Sequence, residues 1–395
     1  MSEQRVRELL RERPLPDERA AEERAWRVVG AAFDERPSPP PERRPRRRLG
    51  LALTAILALG VVALSPAGAT VGDWISDTFD PGRGDARPAL ASLPAQGRLL
   101  VTSARGPWVV QPDGSKRRLG AYDEAGWSPG GLFVVVTRGR QLTAVEPDGE
   151  PRWSLARAAP VSRPAWSPDG FRIAYLSGHA LRVVAGDGSG DTRLARRVAP
   201  VAPAWNPAAE HVLAFADGRG RVTAVQTDSG RRLWRSGPGP VPHALAWTPD
   251  GERLLTIAGG SLRMIDSSGE LLIAKLPAHG FSEALAIHPS GTSVALLRHD
   301  RMTRRSEVVS LPIAAAATPR RLFEGDGSFS GLTWSPDGRW LLIGWPDADQ
   351  WIFTRASGRP KVVAVSNISR QFDPGAGGAA RFPAVSGWCC AGADR

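Results

Sequence analysis

The chain has 395 residues, with 51 Lys plus Arg against 40 Asp plus Glu and 42% apolar residues, a balance too apolar for a disordered chain. The net charge of +11 is almost wholly arginine, since Lys116, Lys275 and Lys361 are the only lysines; no basic block follows residue 48, which argues against a nucleic-acid-binding stripe. Cys389 and Cys390 are adjacent, which excludes a disulfide framework and a CxxC metal site; neighbouring cysteines are not expected to bond each other, and these two are read as small buried apolar residues.

Residues 1–48 form a basic cytoplasmic segment. Within it Asp17 to Arg36 reads as an amphipathic helix, with Trp26, Val29 and Phe33 at helical spacing. One helix cannot bury that stripe alone, so residues 17–36 are expected to pack on a cytoplasmic partner or on the membrane. A Pro-rich stretch, PSPPPERRP, links it onward. Residues 49–69 read as a transmembrane signal anchor, because Leu49 to Gly72 carries no charge and a helix over the span rises about 32 Å. Arg43, Arg44, Arg46, Arg47 and Arg48 precede the span, and Asp73, Asp77 and Asp80 follow it, which places the N-terminus in the cytoplasm. A cleaved secretory signal is the competing reading, with Ala67 and Ala69 as a small-residue cleavage site; the 48 residues before it favour the anchor. Basic tail, single span and exported domain resemble the layout of membrane-anchored anti-sigma factors, without the His-x3-Cys-x2-Cys zinc motif. Residues 70–94 read as an extracytoplasmic linker.

From residue 95 to 390 one unit repeats. WSPGG at Trp127 returns as WSPDG at Trp166, WNPAA at Trp205, WTPDG at Trp247, IHPSG with His288 in the Trp place, and WSPDG at Trp334. The spacings, 39, 39, 42, 41 and 46 residues, fall in the range of a four-stranded propeller blade. After each turn comes an apolar run, such as LFVVV at Leu132 or WLLIG at Trp340, then an alternating run such as LTAVE at Leu142, then a Gly-containing turn and a short fourth strand. Before Trp127 there is material for strands two, three and four only. FPAVSGW, Phe382 to Trp388, aligns with FSGLTW, Phe329 to Trp334, and supplies the missing first strand. The prediction is an all-β, seven-bladed propeller of six full blades and one composite closing blade, followed by a tail, 391–395.

These residues resemble the WD-type and TolB-like propeller repeats of bacterial type, in which a Trp-Ser-Pro-Asp-Gly turn precedes the second strand. The resemblance covers Arg98 to Trp388 and implies the fold. Asn206 without an Asp-Gly, and His288 for Trp, depart from it.

Asp169, Asp250 and Asp337 occupy the turn position where Asp bonds its own backbone. DGSGD, Asp187 to Asp191, alternates oxygens like a calcium loop but falls where every blade has a hairpin turn. The six His form no ligand spacing, and no GxSxG, P-loop or GxGxxG motif occurs, so no catalytic residue, metal or cofactor is nominated. Propeller ligands meet the face around the central channel, where the innermost strands begin. Alignment places Asp123, Glu124, Ser162, Arg163, His243, Glu283 and Ser330 there, either as a recognition surface or as solvated loop residues. The leading expectation is a non-catalytic, single-pass membrane protein with its propeller outside the cytoplasmic membrane, binding a protein, peptide or glycan and no nucleic acid. The alternatives are a transmembrane signalling regulator that senses an exported ligand, and a propeller hydrolase or lyase.

Overall fold

The structure is a computed structural model that describes residues 90–266, 269–275, 280–313, 318–356, 361–375 and 380–390. The amphipathic segment 17–36 and the span 49–69 lie outside the described residues, among which no helix is long and apolar enough to cross a membrane.

Twenty-eight strands form seven four-stranded antiparallel sheets. The chain first lays down β1 (Arg98–Ser103), β2 (Gly106–Val110) and β3 (Lys116–Arg118). Blade 1 follows as β4 (Glu124–Trp127), β5 (Val134–Arg138), β6 (Gln141–Val145) and β7 (Pro151–Ala156). Blade 2 is β8 (Val161–Trp166), β9 (Arg172–Ser177), β10 (Ala180–Ala185) and β11 (Thr192–Ala195). Blade 3 is β12 (Ala204–Trp205), β13 (Val212–Ala216), β14 (Val222–Gln226) and β15 (Arg232–Arg235). Blade 4 is β16 (Ala244–Trp247), β17 (Leu254–Ala258), β18 (Ser261–Asp266) and β19 (Gly269–Lys275). Blade 5 is β20 (Gly280–Ile287), β21 (Ser293–Asp300), β22 (Arg305–Pro312) and β23 (Arg320–Asp326). Blade 6 is β24 (Ser330–Trp334), β25 (Trp340–Trp345), β26 (Gln350–Arg355) and β27 (Val362–Ser366), after which come a short helix, α1 (Ile368–Phe372), and β28 (Ala384–Cys389).

β28 pairs antiparallel with β1, Leu99 opposite Trp388, and completes the sheet β28-β1-β2-β3. The predicted six full blades and one composite blade are therefore the observed ones. Two prolines, Pro203 and Pro207, flank the shortest first strand, β12, and a residue without an N–H cannot extend a ladder.

The second strands, β5 to β25, are apolar along nearly their whole length because both edges are paired and both faces are covered by neighbouring blades. The fourth strands are the more exposed ones: β7 alternates, and β15 is exposed at three of its four residues. Seven apolar clusters each span two adjacent blades. The one between blade 6 and the composite blade joins Leu99, Trp340, Phe353 and Trp388; the one between blades 1 and 2 joins Val135, Leu142, Ile173 and Tyr175. The ring is thus held by its interblade seams. The signature tryptophans sit in these seams: the indole N–H of Trp205 donates to the Ala165 carbonyl at 2.9 Å, Trp247 to Ala204 at 3.1 Å and Trp334 to Ala286 at 3.0 Å, each reaching the preceding blade's innermost strand.

The turns after the tryptophans are built by side chains. The hydroxyls of Ser167, Thr248 and Ser335 donate to Asp169, Asp250 and Asp337. Each carboxylate then accepts an N–H two residues on, from Phe171 (2.9 Å), Glu252 (3.0 Å) and Arg339 (3.0 Å). Gly170, Gly251 and Gly338 take φ of 79°, 71° and 68°, which admits the tight return. The Thr248 hydroxyl and the Glu252 N–H hold the Asp250 carboxyl below the ordinary carboxylate range. At Asp169 and Asp337 burial pushes the carboxyl up, and the turn hydrogen bonds outweigh it. A depressed carboxyl adds stability above its unfolded value, about 4, and loses it as pH falls through the lower folded value. The expected result is a thermal midpoint that is flat from pH 8 to 5 and falls steeply below about pH 4. An Asp250→Asn/Asp337→Asn variant should show a smaller fall; an unchanged acid limb would remove these turns as its cause.

His288 does not fill a tryptophan slot. β20 ends at Ile287, as β16 ends at Trp247 and β24 at Trp334, so Ile287 holds the seam position. His288 stands one residue on, in the hydroxyl's place, where its N–H donates to the Ser293 carbonyl at 2.9 Å, as Thr248 does to Arg253. Its Nδ1 contacts the Ser290 hydroxyl at 2.7 Å and its ring meets Trp334 edge-on at 4.8 Å. An apolar seam accepts a branched aliphatic residue, and aromatic character is not required there. The cysteines also differ from expectation: Cys389 and Cys390 are bonded to each other, where the chain leaves β28 with φ of 63° at Cys390.

Candidate functional site: the rim of the ring

In an up-and-down blade, the turn between strands two and three and the crossing to the next blade share one face. The Trp-side turns and those between strands three and four share the other. The predicted residues all lie at the first of these faces, here called the rim, where innermost strands begin.

Asp123 immediately precedes β4; its N–H donates to the Thr137 carbonyl at 2.7 Å and its carboxylate accepts the Gly139 N–H at 2.8 Å. Glu124 opens β4 and accepts the Arg163 N–H from blade 2. Ser162 and Arg163 lie in β8 where the register slips before Ala165, and Arg163 is exposed with φ of 55°. His243 lies just ahead of β16, exposed, and its N–H donates to the Ile257 carbonyl at 2.8 Å. Ser330 opens β24 beside a second slip, between Ser330 and Leu332. Glu283 sits at a third, in β20; its side chain lies outside the described part. A bulge adds a residue to one strand, and the residues left without a ladder partner are Arg163 with Pro164 in β8, Glu283 in β20 and Gly331 in β24. The structure brings Asp123, Glu124 and Arg163 together across the blade 1–2 seam; Ser330 and His243 stand on other blades.

Sequence alignment missed the arginines beside these positions. Arg138 and Arg140 flank the β5–β6 turn, Arg196 and Arg197 lie in the crossing to β12, and Arg219 lies in the β13–β14 turn. Their sequence signal was the motifs RGR, ARR and GRGR recurring where blades turn.

Two further polar clusters pin seams. Asp191, with 8% of its side chain exposed, holds Arg157 of blade 1 at 2.8 Å, Arg182 Nε at 2.9 Å and the Tyr175 hydroxyl at 2.6 Å. Burial and the Asp191 carboxylate push the Tyr175 phenol up to about 12. Asp191 is thereby committed to arginine, and Asp187 accepts the Ser189 N–H at 2.9 Å, so DGSGD is a turn and a clasp. His211, with φ of 52°, lies between Asp169 of blade 2, at 2.8 Å from Nε2, and Asp228 of its own blade.

These features define a seven-bladed β-propeller with a polar, bulged rim. No family profile matches the chain, and no curated protein does. Solved structures are similar in fold. A candidate 6-phosphogluconolactonase from Bacteroides fragilis superposes with a TM-score of 0.52 at 12% identity, over 77% of this chain and 99% of that one. BamB from Moraxella catarrhalis gives 0.47 at 15% identity, over 70% and 84%. The Cps50 (Swd1) β-propeller domain of Myceliophteria thermophila gives 0.49 at 15%, over 62% and 86%. At these identities the likeness speaks to fold alone.

Proposed function

We infer that the chain is a non-catalytic, single-pass membrane protein whose propeller stands outside the cytoplasmic membrane and binds a protein, peptide or glycan through the rim. The observation that carries this reading is the set of bulged strand starts, which leave Arg163 and Glu283 outside the ladder pairing on the same face as Asp123, Glu124, Ser162, His243 and Ser330. The uncharged run Leu49 to Gly72 behind five arginines supports the anchor and its orientation. Leu93 meets the propeller at the β2–β3 turn, on the face opposite the rim, with its N–H on the Pro112 carbonyl at 2.8 Å.

Two measurements test it. Alkaline phosphatase fused after Arg395 should be active, and a green fluorescent protein fused there should be dark; the opposite pattern would overturn the exported placement. In-cell crosslinking of the full-length protein should lose its partners in an Arg163→Ala/His243→Ala/Glu283→Ala variant, and unchanged capture would overturn the rim. A chain lacking residues 1–45 should still capture them, which a transmembrane signalling role through residues 17–36 would not require.

A further inference from the structure

Across blades 1–3 the two faces of the ring carry opposite charge. On the rim, Arg138, Arg140, Arg163, Arg196, Arg197 and Arg219 are exposed, and none forms an ion pair among the described residues. They form one arc. The Val161 N–H donates to the Gly139 carbonyl, tying the Arg138–Arg140 turn to the start of β8; the Val198 N–H donates to the His179 carbonyl, and Val198 bridges Asp217, which leads into Arg219. Acids in the same sector are engaged: Asp123 and Glu124 cap the Gly139 and Arg163 N–H groups, and Asp217 holds Arg235 at 2.6 Å. Arg163 and Arg197 take φ of 55° and 57°, a region that residues with side chains rarely adopt. On the opposite face of these blades the turns carry Glu146, Asp148, Glu150, Asp187 and Asp228.

We propose that this arginine arc docks an acidic segment of a partner protein. The proposal rests on the rim reading and names its partner. Guanidinium forks pair with carboxylates two bonds at a time, and six of them around a curved edge match a run of Asp and Glu rather than one ion. Nucleic acid fits less well. Strand-binding proteins stack bases on exposed aromatic rings; the one exposed large aromatic residue among the described residues, Phe171, lies in a Trp-side turn on the other face.

The test uses full-length protein in a neutral detergent, with fluorescein-labelled oligoglutamate and an oligothymidylate of equal charge as probes, read by anisotropy. Oligoglutamate should bind the more tightly, and rising NaCl should weaken it, since exposed charges are screened within about 10 Å at 0.1 M salt. An Arg138→Ala/Arg140→Ala/Arg197→Ala/Arg219→Ala variant with an unchanged thermal midpoint should bind at least about tenfold more weakly. An Arg117→Ala/Arg231→Ala/Arg339→Ala variant, altered on the opposite face, should bind as wild type. Equal losses in the two variants, or tighter binding of oligothymidylate, would overturn the proposal. Because the fourfold variant spares Arg163, His243 and Glu283, partner capture that survives it but is lost in the rim variant would keep the platform and reject the acidic partner.

Discussion

A chain ending at Pro383, and so lacking β28, is expected to yield no cooperatively unfolding ring. β28 contributes the innermost strand of the composite blade through five register pairs with β1. Its Trp388 is 7% exposed and lies 5.8 Å from the Phe353 ring of blade 6, and its N–H meets the Thr333 hydroxyl at 3.2 Å. Loss of one such buried aromatic side chain costs about 3–5 kcal/mol. Loss of the strand also strips partners from the edge of β1 and opens the seams with blades 6 and 1 together. That sum consumes most of an ordinary domain stability of about 5–15 kcal/mol. The expected readout is a broad, non-sigmoidal guanidinium transition and early, heterogeneous elution in size exclusion. A peptide covering residues 380–395, added in trans, should restore a sharp transition, because the exposed edge of β1 is a template for that strand. Trp388→Ala in the full chain is the milder form, expected to lower the midpoint without abolishing the transition. A truncated chain that unfolds as sharply as wild type would show that the ring closes without this strand.

That closure was legible because it repeats: Trp388 carries the same apolar spacing as Trp334, and a repeat fixes where its equivalent strand must sit. The Asp turns were legible for a local reason, since their chemistry is confined to six residues. His288 was misplaced by one position because an aromatic residue was preferred over Ile287 for a seam that needs only apolar volume. The arginine arc was harder still. Arg140, Arg163 and Arg197 are not equivalents of one another; they meet because crossings and hairpin tips of adjacent blades share one face. The linkage of Cys389 to Cys390 accompanies a left-handed backbone at Cys390, which no residue spacing encodes.

The seam clasp at Asp191 lies beyond repeat logic for the same reason, and its removal is the second large effect expected. Asp191→Ala leaves Arg157 and Arg182, about one-fifth exposed, and the fully buried Tyr175 without the carboxylate that joins them. Removing one partner of a buried ion pair costs about 3–5 kcal/mol, far above the 0–1 kcal/mol of a surface pair, because the remaining charges stay desolvated. The urea midpoint should fall accordingly with little change in slope, since the same surface is exposed on unfolding. Asp191→Asn separates the parts: it keeps a hydrogen-bond acceptor for the Tyr175 hydroxyl and loses the charge that holds both arginines. The phenol supplies an independent readout. With its folded value raised to about 12, it supports folding fully below its unfolded value, about 10, and that support is lost as pH climbs towards 12. In wild type, absorbance at 295 nm should show one tyrosine ionising only with alkaline unfolding. In Asp191→Asn the carboxylate's repulsion of phenolate is gone, so that tyrosine should ionise at lower pH. A loss below about 1 kcal/mol for Asp191→Ala, with an unaltered tyrosine titration, would reduce the clasp to an incidental surface contact.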